Sequence, residues 1–374
     1  MAYRFRIPVA MALVALVTLG FVTTPVASAA PRSPGAVAAV TERPAGWRDL
    51  PDGRAVNYWT EGVQGKPVKA SGALFVPSGK APEGGWPVVA YTHGTTGYGP
   101  GCGGQSFADA EPNRFVSRLV KGGYAVVAPD YIGLGPMKVG VHPYLNIRTE
   151  ATATIDLFTA ARSIEPTLSK TWAVMGESQG GHAALATAHT QNSYGPRTDF
   201  RGAVALDPVS NWERFIPLLG PDTPVLPSPM TILYGFVFGS LAGLRQADPA
   251  LDVDSYLTPY GKSLIDQVGT TCRAPVLTEN IRLGKMFSKS LNNPTMIRAM
   301  ARYMEVPVNG YDRPILLLMN RFDTIVATPF HGLLVSNFSA NKVDFKTVVA
   351  EGTHTDMSPT QWAAFDTFFN RLKH

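Results

Sequence analysis

The chain has 374 residues, 45% of them apolar and only 16% charged, where a soluble domain usually carries about a quarter charged. That is enough apolar material for a large buried core and too little charge for a disordered or highly charged binding protein. The formal net charge of +5, from 33 Lys and Arg against 28 Asp and Glu, comes with no long basic run, so no nucleic-acid partner is expected.

The N-terminus reads as a targeting segment. Arg4 and Arg6 make a basic start, residues 9–22 are apolar apart from Thr18, and Ala27, Ser28 and Ala29 have A-x-A spacing. Together they predict a secretory signal peptide over residues 1–30, cut near Ala29 or Ala30. The apolar run is shorter than the ~20 residues a membrane span needs. Cleavage removes two of the 33 basic residues and no acid, so the charge falls from +5 to +3. In an exported chain the only two cysteines, Cys102 and Cys272, read as one disulfide.

Residues 31–50 are rich in Pro, Ala and Gly and predict a loosely held entry segment. Residues 56–60 and 70–76 look like an antiparallel pair of strands. Residues 87–91 form a buried strand leading into a Gly-rich loop. A short helix over 113–120 precedes a strand over 124–129. Residues 150–164 carry Ile155, Phe158 and Ala161 at helical spacing. A strand over 172–175 runs into an Ala-rich helix over 180–190, and further strands are expected at 203–206, 315–319 and 343–349. Such alternation implies a mostly parallel central sheet covered by helices on both faces. The rhythm breaks over 208–310, where Pro-rich turns and helical patterns predict a helical cap inserted between 31–207 and 311–374.

The strongest local motif is Gly176-Glu177-Ser178-Gln179-Gly180, a G-x-S-x-G. The pattern alone is weak, but a strand runs into it and a helix leaves it, which is the context a nucleophile elbow needs. Flanking glycines let the strained turn form, and the helix N-terminus favours negative charge beside the serine. A serine hydroxyl needs a base to take its proton, and in this arrangement the acid and then the histidine follow the serine in the chain. His354 lies in the loop after the last strand. Asp323 lies in the loop after the 315–319 strand, and Asp207, which also ends a strand, is the competing acid. Asp312 precedes its strand and falls at the wrong end of the sheet. Among the other histidines, His142 reads as a structural hydrogen-bonding residue, His182 as packed on the sheet or a neighbouring helix, His189 and His331 as surface or packing residues, and His374 as terminal.

His93-Gly94-Thr95-Thr96-Gly97 follows the strand over 87–91. A loop at that position supplies one oxyanion-hole N–H, here assigned to Thr95, and the residue after the nucleophile, Gln179, supplies the other. Gly99-Pro100-Gly101-Cys102-Gly103-Gly104 also fits G-x-G-x-x-G, but Pro100 lacks an N–H and no helix follows at once, so a dinucleotide site is not expected. No H-E-x-x-H occurs and no metal site is expected. The uncharged run 230–244 in the cap, with Phe236 and Phe238, is apolar on every side and therefore buried; it is the candidate lining of an acyl pocket.

With these segments in hand, the sequence resembles the secretory lipase family, the group that includes lipase A of Candida yeasts. The similarity runs from about residue 45 to the end. It is carried by residues 91–95, 128–135 (Ala-Pro-Asp-Tyr-Ile-Gly-Leu-Gly), 142–145 (His-Pro-Tyr-Leu), 176–181, and the cap with its Cys272. The 128–135 segment is the more specific signal. The sequence departs at Glu177, where family members often carry an aromatic or other residue.

The resemblance implies an α/β-hydrolase fold and a lid-covered lipase or esterase acting on carboxylic esters. Ser178, Asp323 and His354 would form its triad, with an acyl-serine intermediate and no cofactor. The expected partners are an ester or lipid substrate and, transiently, a lipid interface. The rival readings are acyl transfer through the same triad, a peptidase, and a non-catalytic hydrolase-fold binding module. An intact triad and oxyanion loop argue against the last.

Overall fold

The computed structural model describes residues 1, 32–42, 50, 53–107, 113–195, 198–225, 232–270, 272 and 281–373. Apart from Met1, the expected signal peptide lies outside the described residues, with its cut near Ala29 or Ala30; so do His374 and parts of the expected cap, including Pro227, Pro229 and Met230. Arg32–His374 forms one compact unit.

Among the described residues, nine strands make one sheet in the order β1-β2-β3-β5-β4-β6-β7-β8-β9. They are β1 (Val37–Glu42), β2 (Gly53–Glu61), β3 (Pro67–Phe75), β4 (Trp86–Thr92), β5 (Ala125–Pro129), β6 (Leu168–Glu177), β7 (Asp199–Leu206), β8 (Ile315–Asn320) and β9 (Phe345–Ala350). The first three strands and the β3–β5 pair are antiparallel, and every pair from β5 to β9 is parallel. The entry segment is a correction to the sequence reading. Residues 37–42 are not loose but form an edge strand, with Val40 opposite Val56 and Glu42 opposite Arg54. Arg54 also holds Glu42 by an ion pair at 2.9 Å.

The strand sequences explain why helices cover both faces. Successive side chains on a strand point to opposite faces, and here both sets are apolar. Val89, Tyr91, Val126, Met175, Val204 and Leu318 pack with Phe115 of α1 (Arg114–Lys121) and Phe365 of α9 (Pro359–Asn370). On the other face, Val88, Val127, Trp172 and Ala203 meet Phe158 of α2 (Ile147–Ile164) and Ala184 of α3 (Gln179–Thr190). At the β9 end, Ile315 and Leu317 pack on Leu334 and Phe338 of α8 (Thr328–Ala340).

Between β7 and β8 lie α4 (Trp212–Phe215), α5 (Ile232–Ala247), α6 (Pro259–Val268) and α7 (Pro294–Met304). Val237, Phe238, Leu241, Ile265, Met286 and Met300 share one apolar cluster with Tyr98 and Tyr144. Small residues bring α5 close to its neighbours. A Cβ on Gly239 would stand 2.3 Å from the Tyr98 ring, and one on Gly243 would stand 2.1 Å from the Tyr303 hydroxyl. Gly239 and Gly243 are therefore packing residues. Among the described residues, no helix is long and apolar enough to cross a membrane. Cys102 and Cys272 are joined in a disulfide, tying the loop after β4 to the segment between α6 and α7.

Candidate active site

Strand β6 ends at Glu177 and α3 begins at Gln179, so Ser178 alone makes the turn. Its backbone sits at φ 56°, ψ −120°, a conformation that costs a non-glycine residue about 1–3 kcal/mol. The flanking glycines make the turn sterically feasible. A Cβ on Gly176 would lie 2.0 Å from the Gly180 carbonyl oxygen, and one on Gly180 would lie 1.9 Å from that of Thr92. The Thr92 hydroxyl donates to the carbonyls of Met175 and Gly180 at 2.9 and 2.8 Å, closing the turn from the β4 side. The Ser178 N–H donates to Leu206 O on β7 at 2.9 Å.

The parallel strands carry Ser178, Asp323 and His354 to one edge of the sheet, at the carboxyl ends of β6, β8 and β9. His354 Nε2 lies 2.8 Å from Ser178 Oγ, and His354 Nδ1 lies 2.7 Å from Asp323 Oδ2. The carboxylate fixes the neutral tautomer: Nδ1–H donates to Asp323, leaving Nε2 to accept from the serine hydroxyl. Asp323 Oδ1 accepts from the backbone N–H groups of Ile325 and Val326 at 2.8 and 2.9 Å. Burial alone would raise the Asp323 pKa, but the hydrogen bonds from His331 and His354 more than offset it and hold it well below the usual carboxylate range.

The competing acid does a different job. Asp207 accepts from the Asn320 N–H at 2.8 Å, from Asn320 Nδ2 at 2.7 Å and from the Thr355 N–H at 2.8 Å. It thus grips the roots of the loops bearing Asp323 and His354. Its burial pushes its pKa up. Arg114 reaches the same His354 loop from α1, donating to the Thr355 carbonyl. Arg114 also lies 3.8 Å from Glu177, which accepts from the Tyr91 hydroxyl at 2.7 Å. Glu177 is therefore tied to β4 and α1.

The loop after β4 passes alongside the serine. A Cβ on Gly94 would lie 3.6 Å from Ser178 Cβ, which brings the neighbouring Thr95 to the site's edge. The Thr95 hydroxyl is 2.8 Å from that of Tyr144. The Gln179 N–H begins α3, where the first turn's N–H groups have no partner inside the helix and the dipole favours negative charge. The Gln179 side chain is wholly buried. Its Nε2 donates to Glu150 Oε1 and His142 Nε2, both at 2.9 Å, while His142 Nδ1 donates to Ile132 O at 2.9 Å. Burial lowers the His142 pKa to about 3, so it stays neutral. His182 donates from both ring nitrogens, to Glu150 Oε2 at 2.6 Å and to Met304 O at 2.9 Å. Burial would lower its pKa, but Glu150 raises it overall.

Two features escaped the sequence. The first is this Glu150 network, whose side-chain hydrogen bonds span 29 to 37 residues. The second is His331, expected at the surface or in simple packing; it is only 2% exposed and lies 3.3 Å from Asp323 Oδ2. A histidine eight positions after the acid was the available signal. Phe236 and Phe238 also differ from each other. Phe238 is fully buried in the apolar cluster, whereas Phe236 is partly exposed, with Tyr144 at 6.2 Å and Trp212 at 5.7 Å between ring centroids. In the Gly99–Gly104 stretch, the N–H groups of Gly101 and Gly103 are taken by Leu134 O, and α1 starts only at Arg114.

Residues 108–293, about half the chain, match the family model described as secretory lipase. No curated protein matches the sequence. Among solved structures, the rice cell wall degrading esterase LipA from Xanthomonas oryzae aligns with a TM-score of 0.71 at 21% identity, covering 91% of this chain and 96% of that one. Candida antarctica lipase A aligns with a TM-score of 0.70 at 18% identity, covering 90% and 83%. A putative hydrolase from Legionella pneumophila aligns with a TM-score of 0.70 at 17% identity, covering 86% and 89%. At these identities the structural likeness speaks to fold, and the fold is that of the α/β-hydrolases. Family and fold together support carboxylic-ester hydrolysis. Over residues 108–293 the chain matches the secretory lipase family, and its fold is that of the α/β-hydrolases.

Proposed function

We propose that the protein is an exported serine esterase or lipase that cleaves fatty or related carboxylic esters through an acyl-serine intermediate. One observation carries the reading: an unbroken hydrogen-bonded line from Asp323 through His354 to Ser178 Oγ, at 2.7 and 2.8 Å. In the proposed cycle His354 takes the Ser178 proton as Oγ attacks the ester carbonyl. The backbone N–H groups of Thr95 and Gln179 receive the developing oxyanion. His354 then protonates the leaving alkoxide, and water, activated by the same imidazole, releases the acid. Asp323 keeps the imidazole in the right tautomer and stabilises its charged form.

Further support comes from outside the triad. The disulfide suits an oxidising compartment, and the basic, apolar, small-residue N-terminus suits export with removal of residues 1–30. We assign residues 208–310 as a helical cap, with Phe236 and Phe238 as its candidate acyl-contacting residues. The apolar side chains exposed there, such as Leu218 and Val225, suit passing contact with lipid.

The test is labelling with a serine-directed phosphonate, followed by peptide mapping and hydrolysis of p-nitrophenyl esters of increasing chain length. Label on Ser178, and its loss with hydrolysis in Ser178→Ala, is the expected result. Labelling elsewhere, or full activity in that variant, would overturn the assignment.

A further inference from the structure

We propose that His331 is a positioning residue for the triad, a second imidazole that holds the same Asp323 carboxylate oxygen as His354. The inference rests on the triad reading above and extends it to a residue outside the triad.

His331 projects from the first turn of α8, where it is buried. Its Nε2 lies 3.3 Å from Asp323 Oδ2 and 3.6 Å from Asp207 Oδ1. Asp323 Oδ2 is the same oxygen that accepts from His354 Nδ1 at 2.7 Å. One carboxylate oxygen therefore faces two imidazoles. With its proton on Nε2, His331 donates into the space between two buried carboxylates. That softens the repulsion between two anions held side by side in a low-dielectric site. The other ring nitrogen, Nδ1, is buried with no hydrogen-bond partner among the described residues. A packing residue gains nothing from such an orphaned polar atom; the geometry on the Nε2 side is what the imidazole is there to supply.

The groups facing His331 give the sense of the effect. They are Asp207 from the end of β7, Asp323 from the loop after β8 and, across Asp323, His354 from the loop after β9. Asp323 Oδ1 is fully used by the Ile325 and Val326 N–H groups, which leaves Oδ2 as the variable end. With the His331 donor gone, Oδ2 bears more uncompensated charge toward His354. The His354 imidazolium is then better stabilised and the base harder to free. The carboxylate also loses its third point of attachment, so the aim of His354 at Ser178 loosens.

The experiment compares His331→Leu, which removes the donor, with His331→Gln, whose amide N–H can reach the same oxygen. Each is assayed for kcat and KM on a short p-nitrophenyl ester from pH 5 to 9, alongside thermal melting and phosphonate labelling. For His331→Leu we expect kcat to fall about tenfold or more with KM nearly unchanged. We also expect the acidic limb of kcat/KM to move to higher pH by about half a unit or more. His331→Gln is expected to recover most of the rate and the parent's limb. A folded His331→Leu with parental kcat and an unmoved limb would overturn the proposal. Equal losses in both variants, tracking only the melting temperature, would reduce His331 to packing and overturn it too. If His331→Leu does not fold, His331→Asn, too short to reach Asp323, takes its place with the same expectations. Failure of the triad reading itself looks different: Ser178 in the parent protein would not take the phosphonate.

Discussion

The backbone N–H of Thr355 donates to Asp207 Oδ2 at 2.8 Å, one residue beyond His354. Thr355 has φ 64°, so the His354 loop turns through a left-handed residue whose N–H is held by a buried carboxylate and whose carbonyl is held by Arg114. Asp207 spends its lone pairs on that N–H and on Asn320, not on the imidazole.

Asp323→Asn is therefore expected to be far more damaging than Asp207→Asn. The first presents an amide to His354 Nδ1 and favours the wrong tautomer, with a loss near 10⁴ in kcat expected for a triad acid. The second leaves the imidazole's own partner in place and loosens the loop, for about a tenfold loss together with lower stability. Steady-state kinetics with thermal melts on the two variants decides the matter. Equal or reversed losses would transfer the acid's role to Asp207.

The disulfide makes a prediction about stability. Cys102 and Cys272 are 170 residues apart, so loop-closure entropy alone gives at most about 5 kcal/mol. The Cys102→Ser, Cys272→Ser double variant should unfold at markedly lower denaturant concentration. Thiol titration of the denatured, unreduced parent should find no free thiol; two free thiols would rule the bridge out in the protein as made.

Asp156 supplies a pH dependence. It is buried in α2 and accepts from the Tyr194 hydroxyl at 2.8 Å. Desolvation raises its pKa from 3.8 to about 6. The folded state then holds this proton more tightly than the unfolded chain, so its stabilising contribution is full below pH ~4 and is lost as the pH rises through ~6. Asp156→Asn keeps an acceptor for Tyr194 and cannot ionise. Its stability relative to the parent should rise between pH 4 and pH 7, by at most about 3 kcal/mol. Urea unfolding of both proteins at several pH values measures this; a difference independent of pH would show that Asp156 does not titrate as argued.

How far the sequence carried these conclusions depended on whether the signal was local. Strands β2 to β9 were legible because runs such as residues 315–319 are apolar on both faces and end at turn residues. The hydrogen-bonded line from Asp323 through His354 to Ser178 was legible because an acid after β8 and a histidine after β9 follow from the order of elements once Ser178 is found. Strand β1 was hidden in a Pro-, Ala- and Gly-rich segment, since its pairing with β2 is a tertiary fact with little local pattern. His331 was hidden for a similar reason. It sits in an otherwise ordinary helix, and only the approach of the β7 and β8 ends brings Asp207 and Asp323 to it. The Glu150–Gln179–His182–His142 network likewise joins three separate segments whose contact no spacing announces.

The last prediction separates the two phenylalanines proposed for the acyl pocket. The sequence treated them alike, because both lie in one uncharged run. In the fold they diverge. Phe238 is completely buried in the apolar cluster that α5, α6 and α7 share, so Phe238→Ala opens a cavity and should cost about 3–5 kcal/mol of stability. Any loss of activity should then follow the folded fraction and be the same for every substrate. Phe236 is partly exposed and stacks on Tyr144, whose hydroxyl lies 2.8 Å from that of Thr95. It is therefore two side chains from the proposed oxyanion loop. Each methylene that an acyl chain buries there would contribute up to about 0.8 kcal/mol. An acetyl group is too short to make that contact, whereas an octanoyl chain is long enough. Phe236→Asp should thus lower kcat/KM for p-nitrophenyl octanoate by about tenfold more than for the acetate, with little change in melting temperature. A folded Phe236→Asp that loses activity equally on both esters would make this side chain scaffold and rule it out as an acyl contact.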